Sequence, residues 1–334
     1  MVEQSPDAAR RTSALNAAAT YAGYAPSIHN TQPWRWRLRS DVLELWVDDA
    51  RRLRATDPAG RMSALSCGAA LHHAEVALRA AGWAATVSRL PDPDRAGLLA
   101  TLTDLRAHRT TEDDDTQLGA LKIRRTDRRP VPDTPVPAAA LTAVAAAVGA
   151  HGAHLQLLSH EQVLDLAAAA SHAAAAQAED PAVRAELLRW TGQEQPVGAG
   201  VPAGVRPAAA PQTTVPGREF GAPGTLPIGG GHDTAARYGL LYGDGDEPRD
   251  WLRAGEALSA GWLCAVRHRL SLVPLSWVAE VPTTRALLAE SSGRRGQPYL
   301  ALRLGVAHPD AAGPEFTPRL PTRQVIERLD RADG

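Results

Sequence analysis

The sequence predicts an α+β protein built of two halves, and three observations carry that reading. An amphipathic helix, a hairpin, a long helix and two further strands follow one another in the early part of the chain. A proline-rich stretch interrupts this pattern, and a comparable succession of helices and strands resumes after it. At 334 residues with 44% hydrophobic content, the chain has ample apolar surface for one large core or two intimate ones.

Residues 12–24 read as a helix that stops ahead of Pro26, because a residue preceding proline is pushed out of the helical region. A short polar loop follows. Trp34-Arg-Trp-Arg-Leu then alternates large apolar and basic residues, and the alternation resumes at Leu43 after Ser40-Asp41, as in a hairpin with one buried face. Residues 62–81 form a long amphipathic helix ended by Gly82, with strands at 83–90 and 97–105. The acidic run Glu112–Asp115 reads as a solvated connector, and with the prolines of 129–137 it brackets the segment Ile123-Arg-Arg-Thr-Asp-Arg-Arg129. The junction is placed here, giving a first half at 1–115 and a second at 116–334. The second half carries helices near 138–148, 161–190 and 250–269, with strands near 153–159 and 299–304. The repeat is one of pattern, without strong residue identity between the halves. Gly192 to Gly231 is crowded with Gly and Pro and nearly free of large apolar side chains, so it reads as a lid that cannot form a packed core.

Lys+Arg 36 against Asp+Glu 37 gives a formal charge of -1, which leaves no overall positive field to gather nucleic acid or an anionic membrane. Any anion must be met by a local cluster. Cys67 and Cys264 are far apart and lack metal-ligand spacing, and no stretch approaches a membrane span, so a soluble cytoplasmic protein is expected. Gly229-Gly-Gly-His-Asp lacks the Lys-Ser/Thr of a P-loop, His72-His73 has no third ligand at usable spacing, and Gly243–Asp246 is too short for a calcium loop. No metal is therefore expected.

Two constellations point to chemistry. In Ala25-Pro-Ser-Ile-His-Asn-Thr-Gln-Pro-Trp34 a short polar loop between helix and strand gathers hydrogen-bonding groups suited to a planar heteroaromatic ligand. In Arg124-Arg-Thr-Asp-Arg-Arg129 guanidinium forks and a hydroxyl lie within a few residues, chemically suited to a terminal phosphate.

Pro26, Ser27, Asn30, Gln32, Pro33 and Trp34 resemble the nitroreductase pattern PSxxNxQPW, and Arg124, Thr126 and Arg128 resemble that family's RRSxR motif. The resemblance implies a nitroreductase-like fold duplicated in one chain: two α+β halves, with antiparallel-rich mixed sheets flanked by helices, forming a pseudo-dimer. It implies FMN, with Ser27 and Asn30 beside the flavin, and with Arg124, Thr126 and Arg128 on its phosphate. Leu272-Val-Pro-Leu-Ser-Trp277 resembles the loop that brings backbone N–H groups to the flavin N5 edge, with Pro274, Leu275 and Ser276 matching in position but without the family's Glu-Gly. Thr317-Pro-Arg-Leu-Pro resembles the family's terminal segment, which makes Arg319 the last phosphate ligand and Arg323 the fallback.

The order of the motifs is inverted relative to the ordinary family. The first half has the loop but no clear arginine motif upstream, only Arg10-Arg-Thr-Ser13, and the second has the arginines but no second Gln-Pro-Trp. This resembles the Acg-type branch and implies one flavin site per chain, in a monomer or weak homodimer. An NAD(P)H-dependent reductase passing electrons through FMN to a nitroaromatic or quinone is the first expectation. No catalytic side chain is required, since the flavin carries the chemistry. An FMN-sequestering protein with a closed lid is the second, and a flavin-free metabolite-binding module the third.

Overall fold

The computed structural model describes residues 6–192, 196–229, 231–308 and 314–329. Helix α1 (Pro6–Ala22) ends before Pro26 as expected, and the hairpin β1 (Trp34–Arg39) and β2 (Val42–Val47) follows the polar loop. The long helix α2 (Arg61–Ala80) leads to β3 (Trp83–Arg89) and β4 (Leu98–Ala107). Glu112–Asp115 are not a connector: they open α3 (Glu112–Ile123), so the boundary expected between 115 and 116 falls inside a helix. The physical cause is a capping box, with Thr111 accepting from the Asp114 N–H while Asp114 accepts from the Thr111 N–H, and four acids in the first turn favoured by the helix dipole.

The chain continues through α4 (Ala138–Gly149), β5 (His154–Leu157), α5 (His160–Glu179) and α6 (Pro181–Thr191). After the irregular stretch come β6 (Arg237–Gly243), α7 (Pro248–Arg267), β7 (Leu270–Leu275), α8 (Trp277–Glu280), α9 (Pro282–Ser291) and β8 (Gln297–Val306). A short α10 (Thr322–Val325) and β9 (Ile326–Arg328) complete the described fold. The expected loop before Ser276 is thus a strand, and Pro274 is tolerated because β7 lies at a sheet edge, where no ladder N–H is needed.

Two sheets result. The first has the order β3-β4-β2-β1-β9, antiparallel except where β9 joins β1 in parallel, so a strand from the C-terminal end completes the sheet of the first half. The second, β5-β6-β8-β7, is antiparallel throughout. Trp34, Trp36, Leu43 and Leu45 pack the first core against α1 and α2, while Trp262, Leu241, Leu302 and Val144 fill the second.

Between them α2 and α7 cross backbone to backbone. Gly68 lies under the Leu252 carbonyl and Gly255 under the Leu65 carbonyl, and the same offset of 187 residues relates His72 to Ser259, joined at 2.8 Å. The crossing is therefore a local twofold between the halves. Among its described residues, the stretch 192–231 forms one short 3-10 helix, Ala203–Val205, and one isolated parallel bridge, Pro207 to Leu226. It anchors itself to the body by a few buried apolar side chains, Ala199, Val201, Val205, Val215 and Leu226.

Candidate functional site

A cavity of about 580 Å³ opens beside the α2–α7 crossing, within the size range of sites for small planar ligands. Met62 and Leu65 of α2, Leu258 and Trp262 of α7, and Leu300 of β8 give it an apolar side. Its polar side carries Thr126, Arg128, Arg206, Arg218, Asp233 and Arg303. Much of the remaining wall comes from the irregular segment 206–224.

This segment is tied to the body. Arg218 pairs with Glu280 of α8 at 2.8 Å, both side chains being almost fully buried, and Gln177 of α5 donates to the other Glu280 oxygen at 2.8 Å. Phe220 is held by its carbonyl, which accepts from the Thr191 hydroxyl.

Of the residues singled out in the sequence, Pro26, Ser27, Thr126, Arg128, Pro274, Leu275 and Ser276 line this cavity. Asn30, Gln32, Arg124 and Arg319 do not. The Asn30 amide nitrogen donates to the carbonyls of Gly200 and Pro318, and its oxygen accepts from Arg319. Gln32 donates to the Gly198 carbonyl and accepts from the Leu320 N–H. Both amides therefore bind the polar loop to the C-terminal segment and to the lid's base.

Arg124 stacks on the Trp262 ring, which itself lines the cavity, with 4.5 Å to the ring centroid. It shares the Tyr24 carbonyl with Arg319. The Nε of each guanidinium is buried without a partner, and no carboxylate pairs with either among the described residues. Burial, and then the neighbouring Arg319 charge, pull Arg124 down to about 9, and burial lowers Arg319 to about 10. Two like charges side by side, one buried and one half-buried, favour an anion between them. Arg128 belongs to a different group: burial, then the charges of Arg218 and Arg303, lower it to about 10.

Sequence reasoning missed His29, Trp277 and the lid arginines Arg206 and Arg218. His29 and Trp277 line the cavity, and each has a buried ring nitrogen without a partner among the described residues. The signal for His29 was present in the loop itself, at a position the family pattern leaves open.

Under the local twofold the counterpart of Trp262 is Glu75, and that side of the crossing is filled by charge. Arg89 grips Glu256 through two bonds of 2.8 and 2.6 Å, and stands 4.0 Å from Glu75. Burial, then the Glu256 charge, push the Glu75 carboxyl up to about 8 from an ordinary 4.5. A carboxyl raised in the folded state holds its proton more tightly there than in the unfolded chain. The stability it contributes is complete below about 4.5 and is lost as the pH climbs through about 8. The melting temperature is expected to fall as the pH rises from about 4.5 to about 8, and Glu75→Gln to flatten that slope. An equal slope in the variant would refute this assignment.

No family model matches the chain. It is 39% identical to "Putative NAD(P)H nitroreductase Rv3131" of Mycobacterium tuberculosis over 316 residues, covering 92% of this chain and 89% of that protein. It is 32% identical to "Putative NAD(P)H nitroreductase acg" of the same organism over 329 residues, covering 96% and 97%. Among solved structures, the FMN-dependent nitroreductase NfnB of Mycobacterium smegmatis, in complex with NADPH, aligns at 15% identity with a TM-score of 0.41, covering 66% of this chain and 100% of that one.

Proposed function

The chain belongs to the nitroreductase family, in its Acg-type branch, and on that premise we propose that it binds one FMN at the seam of its two halves and acts as an NAD(P)H-dependent oxidoreductase. The observation that carries the reading is the pair of buried Arg124 and half-buried Arg319, two guanidiniums without a carboxylate partner among the described residues, behind the Trp262 wall of a cavity of suitable size. A phosphate supplies that counter-charge, through charge-assisted bonds to both forks. Thr126, two residues along, adds a neutral donor at the cavity wall.

Met62, Leu65, Leu258 and Trp262 give a tricyclic ring an apolar bed, while Ser27 and the backbone of Pro274–Ser276 border it. When bound, FMN supplies the redox chemistry, accepting a hydride from NAD(P)H and delivering it to a small aromatic or quinone acceptor. The chain's own part is to fix the ring, exclude water beneath segment 206–224, and admit one partner at a time. One site per chain accords with Glu75 standing where a second Trp would be needed.

A second reading, sequestration of FMN without turnover, is favoured by the buried Arg218–Glu280 tie across the lid. Anaerobic titration of the purified protein with NADPH separates the two. The protein is expected to be yellow, with flavin and chain near one to one, and to bleach on addition of NADPH. A flavin that stays oxidised under NADPH yet responds to dithionite would leave sequestration standing. A colourless protein that takes up no FMN would refute both.

A further inference from the structure

His29 has no task in the reading above, yet the fold invests heavily in where it stands. Its backbone φ is 46°, followed by Asn30 at 54° and Gln32 at 51°: three non-glycine residues in the left-handed region within four positions. Such conformations are costly for residues with a side chain and persist only where the surroundings over-determine them. Here they do. The Ser66 hydroxyl accepts from the Ile28 N–H and the Ser27 hydroxyl from the Gln32 N–H, while Arg51 donates to the Gln32 carbonyl. The Asn30 and Gln32 amides clamp the same turn to Gly198, Gly200, Pro318 and Leu320.

The product of this bracing is an imidazole set into the cavity wall, 7% exposed, with its Nε2 buried and unpartnered among the described residues. Burial, and then the charges of Arg218 and Arg128, hold its pKa well below the ordinary 6.5, so the ring is neutral. A neutral imidazole offers one N–H and one lone pair, so the unpartnered Nε2 is able to accept. Two further groups lining the same cavity carry free donors. Arg218 has a buried Nε–H without a partner, and Arg128 makes one hydrogen bond, to the Val205 carbonyl, out of five donors.

We propose that Arg128, His29 and Arg218 form a donor–acceptor–donor reader for the pyrimidine edge of the flavin, with His29 Nε2 accepting from N3–H. That edge presents O2, N3–H and O4, which is acceptor, donor, acceptor, the complement of the three groups. The proposal rests on the flavin reading and deepens it. It moves Arg128 from the phosphate to the ring, in keeping with chain geometry: no helix spans 124–128, and four residues of extended chain reach up to ~14 Å, about the span from a flavin tail toward its ring. Asn30 and Gln32 become positioning residues that keep His29 in its strained backbone.

The test compares FMN with N3-methyl-FMN by fluorescence titration of the apoprotein. The wild-type protein is expected to bind the methylated flavin at least ~10-fold more weakly, since a buried acceptor loses its donor and meets a methyl group. His29→Gly removes the imidazole and suits the left-handed backbone. It is expected to weaken FMN binding by ~10-fold and to bring the two flavins to within about twofold of each other. Equal binding of both flavins by the wild-type protein would overturn the proposal without any variant. Discrimination preserved in His29→Gly would overturn it while leaving the flavin reading intact. Failure to bind either flavin would overturn it together with its premise.

Discussion

Gly68→Ala is expected to disrupt the join between the two halves, and its size follows from where a single methyl would go. A Cβ at Gly68 would sit 1.9 Å from the Leu252 carbonyl oxygen and 2.9 Å from its carbon, and one at Gly255 would meet the Leu65 oxygen at 1.9 Å. Both obstacles are backbone atoms of the facing helix, so no side-chain rotation relieves the clash. The helices α2 and α7 would have to separate, opening the Gly68/Gly255 contact that brings the two cores together. Overpacking of this kind costs on the order of 3 kcal/mol or more, a large part of the stability of a typical domain. The same crossing places Met62 and Leu65 opposite Leu258 and Trp262, so the cavity is expected to suffer as well. Chemical denaturation of Gly68→Ala beside Gly119→Ala checks this. Gly119 is exposed on α3 with nothing within 4 Å of its would-be Cβ, and there alanine is expected to stabilise by about 0.5–1 kcal/mol. Equal midpoints for the two variants would show that the crossing is not the constraint.

How much of this was legible in the sequence depended on whether the signal was local. The hairpin at Trp34–Val47 and the helix at Arg61–Ala80 announced themselves through periods of two and of 3.6 residues. Strand β6 did not, because glycines at 239 and 243 break its apolar run, and β9 is three residues long and owes its existence to pairing with β1. The acidic start of α3 was misread although Thr111 and Asp114 stand at capping-box spacing, because a run of acids looks like solvated coil when the cap is not sought.

The candidate site divides along the same line. The loop at 26–34 was legible as a motif, but which of its polar groups would face a ligand was not. Asn30 and Gln32 find backbone partners 166 to 288 residues away, contacts that no local pattern encodes. His29 occupies a position that the motif leaves variable. The arginine run was legible as anion chemistry, yet its division into Arg124 with Arg319, and Arg128 with Arg218 and Arg303, is set by which tertiary neighbours each fork meets.

Arg124 offers the sharpest separation of a ligand's residue from a scaffold's. Its guanidinium stacks on Trp262 and donates to one carbonyl, with a like charge beside it and one buried N–H unsatisfied among the described residues. Arg124→Met keeps most of the apolar stem and removes an uncompensated buried charge, a change that tends to be neutral or stabilising for the fold. If a phosphate is the missing counter-charge, the same change removes a charge-assisted bond of about 1.5–3 kcal/mol, weakening FMN by ~10- to 150-fold. The two effects therefore have opposite signs: the melting temperature of the apoprotein holds or rises while flavin retention through gel filtration collapses. Arg319→Met is expected to weaken FMN similarly but also to cost stability, because Arg319 is tied to Asn30 and Thr317 as well. Undiminished flavin in Arg124→Met would leave the arginine pair without a phosphate to hold, and a fall in apoprotein stability equal to the loss of flavin would make Arg124 a part of the scaffold.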